Sequence, residues 1–131
     1  MDFWVGTWDL TWEGGEGTNV VERKLGDCVI QENFTGGGFQ GMSVSTYNVR
    51  KKHWEQTWVD NTGGYLDFTG GMVDDRMILS RESMGKDGQP IRHRMVFYDI
   101  QDDSLKWDWE SSPDGDEWTL LWRINYERRA E

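Results

Sequence analysis

The sequence predicts an all-β protein, a single closed antiparallel β-barrel of about ten strands, with residues 1–131 forming one domain. Three observations predict it. Short runs of β-forming residues with period-two alternation recur along the chain. Sixteen glycines and two prolines interrupt these runs at close intervals, and no segment longer than a turn carries a helical period. The nine tryptophans keep one parity within each stretch: Trp4, Trp8 and Trp12; Trp54 and Trp58; Trp107 and Trp109; Trp118 and Trp122. Alternate residues of a strand share a face, so each group stands on one side of its sheet.

The elements follow in order. After an irregular turn at Asp2–Val5, the first strand is expected over Thr7–Glu13, then Thr18–Leu25 beyond a Gly-Gly-Glu-Gly turn. Gly26-Asp27 turns the chain into Cys28–Phe34, and the triple glycine at 36–38 separates that strand from Gly41–Val49. The basic turn Arg50-Lys51-Lys52 leads to His53–Asp60, and Asn61–Gly64 closes a hairpin to Tyr65–Thr69. Arg76–Arg81 comes next, then a longer irregular stretch with Asp87-Gly88, a strong turn pair. Ile91–Ile100, Leu105–Ser111 and Glu117–Arg128 complete the set. Every connection is short enough for antiparallel neighbours. A meander of this length removes its exposed edges by closing on itself.

Composition excludes several functions. Fourteen basic residues against 24 acidic ones give a net charge of −10, which works against a nucleic-acid backbone or an anionic membrane surface. Nothing approaches 18 consecutive apolar residues, so no transmembrane helix is expected. The single Cys28 permits no intrachain disulfide. With no secretory signal at the start of the sequence, a cytoplasmic location is expected. Cys28 reads as a small core residue. Two histidines and one cysteine, without metal-ligand spacing, exclude a structural zinc site. No nucleophile elbow, phosphate loop or dinucleotide fingerprint is present.

The interior admits two readings. Each buried tryptophan removes about 150–250 Å² from water, so five or six indoles would fill much of a ten-stranded barrel as a solid core. The other reading is a lined cavity, and it rests on polar residues that share parity with aromatic ones. Gln56 and Asp60 share the face of Trp54 and Trp58; Glu32 shares that of Ile30 and Phe34; Ser45 and Tyr47 share one small face; Ser111 follows Trp109. A lone buried carboxylate is costly unless paired or protonated, so Glu32 fits a polar cavity better than a dry core. On Ile91–Ile100 either Arg94 or His93 points inward, never both. An inward Arg94 would pair with Glu32, and an inward His93 would offer a ligand to haem or a metal.

The opening Gly6-Thr7-Trp8 resembles the Gly-x-Trp signature of lipocalins and the wider calycin barrels. There the tryptophan packs at the closed end beneath a late-strand arginine, a part open here to Arg123 or Arg128. The blocks Asp2-Phe3-Trp4-Val5-Gly6, Gly26-Asp27-Cys28 with Glu32, Gly41 to Tyr47, Trp54 to Asn61, and Ser111 with Asp114-Gly115 and Trp118 resemble a bacterial family of small calycin-like, lipocalin-like barrels of unknown function. The chain departs from that pattern at Asp116, where the family tends to have a second glycine. The resemblance implies a closed barrel with a central cavity and carries no established substrate. Nitrobindin-type haem barrels, also calycins, bind iron through a late-strand histidine; Glu117–Arg128 has none, which leaves His93 as the candidate.

These observations converge on an uncharacterised barrel that binds a small, neutral or cationic, apolar or aromatic molecule and needs no cofactor. Trp54, Trp58 and Trp109 would form walls. Ser45, Tyr47 and Gln56 would supply hydrogen bonds, and Glu32, tied to Arg94 and accompanied by Asp60, a charged anchor. The alternatives are a haem protein using His93 and a hydrolase or isomerase using Glu32 and Asp60. The protein is expected as a monomer or homodimer, with Trp12 or Tyr126 as candidate dimer contacts.

Overall fold

The computed structural model describes residues 1–130, and they fold as expected into one closed antiparallel barrel of ten strands. A single 3-10 turn, Asp2–Trp4, precedes β1 (Gly6–Trp12), β2 (Gly15–Lys24), β3 (Val29–Gly36), β4 (Phe39–Asn48) and β5 (His53–Asp60). There follow β6 (Tyr65–Val73), β7 (Arg76–Met84), β8 (Pro90–Tyr98), β9 (Ser104–Ser112) and β10 (Thr119–Arg128). Each strand pairs with the next, and β1 pairs with β10 to close the cylinder. Among the described residues no helix is long and apolar enough to cross a membrane.

The alternation of the sequence fixes what points inward. Trp8 and Leu10 from β1, Val21 from β2, Ile30 and Phe34 from β3, Met77 and Leu79 from β7, Phe97 from β8 and Ile124 and Tyr126 from β10 are buried within the barrel. The 3-10 turn stoppers one end. Its Trp4 is 1% exposed and meets Phe97 edge-to-face at 5.2 Å, and the Trp4 carbonyl accepts a hydrogen bond of 2.8 Å from the Trp8 indole. Arg128 takes the place expected of a late-strand arginine. Its guanidinium lies 4.2 Å from the centroid of the Trp8 ring and donates to the carbonyls of Val5 at 2.6 Å and Phe3 at 3.3 Å. Arg123 instead lies outside the barrel, in a two-bonded pair with Asp108.

Two expectations change here. Cys28 is exposed in the β2–β3 turn and contributes nothing to the core, because β3 begins one residue later. In β10 the register shifts between Leu120 and Trp122. A bulge puts one extra residue on its strand and resets the alternation beyond it. Trp122 therefore faces the interior opposite Trp109, whereas Trp118, equal in parity, packs outside beneath Arg94 at 4.0 Å.

Candidate functional site

Above the packed half of the barrel lies an axial cavity of about 180 Å³. Its walls are almost wholly aromatic and aliphatic. Trp58 from β5, Trp107 and Trp109 from β9, Trp122 from β10, Phe34 and Phe39 from the β3–β4 hairpin, Leu66 and Phe68 from β6 and Met95 from β8 surround it. The rings brace one another: Trp107 lies edge-on to Trp122 at 5.9 Å, and Phe39 stacks on Trp58 at 6.1 Å. Packing of this kind holds a rigid wall, since each ring meets a neighbour at a favoured aromatic geometry.

Gly41 explains how Trp58 reaches its place. A Cβ at this position would stand 2.1 Å from the Trp58 ring, so only a glycine on the paired strand leaves room for the indole to lie flat. The Trp58 Nε1–H then donates to Asp60 Oδ2 at 2.8 Å. Gly41→Ala is expected to displace this indole, break that hydrogen bond and lower stability by about 1–3 kcal/mol. Thermal unfolding with near-ultraviolet circular dichroism checks it; an unaltered tryptophan spectrum would contradict the placement.

Glu32 stands deep in the interior, 7% exposed, and lines the cavity. Its Oε2 accepts from Asn19 Nδ2 and its Oε1 from Ser43 Oγ, each at 2.7 Å. Burial pushes its carboxyl up to about 7 against the pull of these two hydrogen bonds. Asn19 Nδ2 also donates to the Tyr126 hydroxyl at 3.0 Å. Burial, and then the Glu32 charge, hold that phenol well above its usual range. Asp60 is the opposite kind of carboxylate. It sits at the mouth and accepts from the Thr62 hydroxyl and from the Thr62 and Gly64 amides, which together with Trp58 lower it to about 2. That pattern is a side-chain-stabilised turn, and Asp60 is committed to it.

Of the residues singled out in the sequence, Glu32, Trp58, Asp60 and Trp109 line the cavity. Ser45 and Gln56 are buried but form a separate pair, Gln56 Nε2 donating to Ser45 Oγ at 3.0 Å, away from the cavity wall. Trp54 shares the inward face of Trp58 but lies toward the stoppered end, edge-on to Tyr47 at 5.7 Å. Tyr47 is 44% exposed at the end of β4 and is no cavity group. Arg94 points outward and binds Glu110 at 2.7 Å, so no Arg94–Glu32 pair exists. His93 is the inward member of that alternative, stacked on Trp109 at 5.1 Å with its Nδ1 unpartnered. Burial, then Arg81, lowers its basicity. Tyr126 is 2% exposed inside the barrel, which leaves it no surface for a dimer contact, whereas Trp12 is half-buried and stacks on Phe34.

Trp107, Trp122 and Phe39 are cavity residues that the sequence reading did not select. Trp107 had the parity of Trp109 and was accessible to the same reasoning. Trp122 shares the parity of Ile124 and Tyr126 on the same side of the bulge and was equally accessible, whereas Phe39 was hidden by the triple glycine before it. Among the described residues no three histidine, cysteine, aspartate or glutamate side chains are grouped to hold a metal ion. No curated protein matches the chain. A family match extends over residues 3–128, and the chain belongs to that family, described as protein of unknown function (DUF1579).

Proposed function

We propose that this protein is a calycin-type carrier that holds one small apolar or aromatic molecule in the axial cavity. The observation that carries the reading is an aromatic-walled space of about 180 Å³ with a buried carboxyl group in its lining. An engineered apolar cavity of about 150 Å³ binds benzene, so this volume suits a guest of one ring. The Trp8–Arg128 arrangement at the stoppered end supports the calycin comparison.

The same volume weighs against haem. His93 lies flat against Trp109, and a macrocycle would have to displace the indoles at the mouth. Acid–base catalysis between Glu32 and Asp60 is less well supported, because both Asp60 oxygens are already engaged, Oδ2 by the Trp58 indole and Oδ1 by the β5–β6 turn. Titration calorimetry with toluene tests the carrier reading. Binding at about 1 mM or tighter is expected. It should vanish in Met95→Trp, which places an indole in the cavity while circular dichroism verifies that the barrel is folded. Absence of heat in the parent protein, together with a native mass spectrum free of any guest, would reject the carrier.

A further inference from the structure

We propose that the guest ends in an uncharged oxygen acceptor, such as a ketone or nitro group, received at the cavity floor by the Trp4 indole N–H and the Tyr126 hydroxyl. This inference rests on the carrier reading and names the chemistry of the molecule carried.

The floor is rich in donors without acceptors. Trp4 is 1% exposed and lines the cavity, and its Nε1–H is turned toward the Tyr126 hydroxyl without making a hydrogen bond of normal geometry to any described residue. A buried donor left unpaired costs about 1–3 kcal/mol, and native structures retain few of them. Tyr126 lines the same floor. Its oxygen accepts from Asn19 Nδ2 at 3.0 Å, and its own O–H donates to no described acceptor. Two N–H or O–H groups therefore meet the inner end of an otherwise apolar space.

The neighbouring carboxyl group does not make the floor a cation site. Both Glu32 oxygens already accept strong hydrogen bonds, from Asn19 and from Ser43. No second carboxylate lies on the floor; Asp60, the other acid on the cavity wall, is at the mouth. An ammonium group would have to be desolvated against unpaired donors, which is costly. Asn19 Oδ1 is also unpartnered, but Asn19 is not part of the cavity wall. A neutral acceptor satisfies the donors and asks nothing of the carboxyl group.

Three probes of nearly equal shape separate the outcomes: acetophenone, ethylbenzene and 1-phenylethylamine, the last a cation at neutral pH. Calorimetry or ligand-observed NMR at pH 7 would read their affinities for the intact protein. Acetophenone is expected to bind about three- to tenfold more tightly than ethylbenzene, as one or two net hydrogen bonds provide, and the amine most weakly. Tyr126→Phe leaves the Trp4 N–H alone and should reduce the acetophenone preference to about threefold or less. Equal binding of acetophenone and ethylbenzene, or tightest binding of the amine, would overturn the acceptor inference and leave the carrier intact. A preference undiminished in Tyr126→Phe would also overturn it. Failure of all three probes would defeat the carrier reading itself.

Discussion

Glu32→Gln is expected to be more stable than the parent protein by about 3 kcal/mol at pH 8 and by only about 1 kcal/mol at pH 5. The folded carboxyl titrates at about 7 and the unfolded one at 4.5, because burial penalises its charge. Between those values the folded state holds a proton that the unfolded state has released. Stability from this group is thus fully present below pH 4.5, falls as the pH rises through the window, and is gone above about 7. Glutamine is uncharged and close in shape. Its amide oxygen would accept from Asn19, and its amide nitrogen would donate to the Ser43 hydroxyl, which rotates to receive it. Urea unfolding of both proteins at the two pH values measures the effect. A constant difference between them, or a less stable variant at pH 8, would refute the assignment of Glu32 as the group that titrates on unfolding.

Trp8→Ala should cost about 3–5 kcal/mol, a large share of the roughly 5–15 kcal/mol that holds a domain together. Three contributions coincide at this ring. It is 0% exposed, so its removal leaves a cavity that its rigid neighbours fill poorly. Its N–H holds the carbonyl of Trp4, and the loss frees the 3-10 turn that closes the barrel end. Its face supports the Arg128 guanidinium. A lowered urea midpoint with an unchanged slope is the expected signature. A loss below about 1 kcal/mol would mean that the stopper holds without the indole.

The barrel was legible because hydrophobic parity and turn residues are local properties. His53–Asp60 has the same limits in sequence and structure, and all ten strands were foreseen. Parity also put Glu32 correctly beside Ile30 and Phe34 inside the wall. What parity does not encode is depth along the axis. Trp54 and Trp58 share a face, yet only Trp58 reaches the cavity; Ser45 and Tyr47 share a face, yet Tyr47 stands beyond the buried stretch of β4. Nor does it encode which of two mixed faces is inner: β8 carries arginines on one side and a histidine with apolar residues on the other. The side bearing His93, Met95 and Phe97 turned inward, because exposed Glu82 and half-buried Glu110 offered the arginines partners outside. The bulge at β10 is a change of count, invisible to any rule based on spacing.

Nine of the ten ladders join strands linked by a turn, whereas the tenth brings together opposite ends of the sequence. Bringing segments together across roughly a hundred residues costs about 4 kcal/mol of chain entropy beyond a constant. Arg128 and the Arg129 amide, which donates to the Thr7 carbonyl at 2.8 Å, are stationed along that seam. They act as a latch on the one seam that no turn holds together, and each such hydrogen bond offsets about 1 kcal/mol of that entropy.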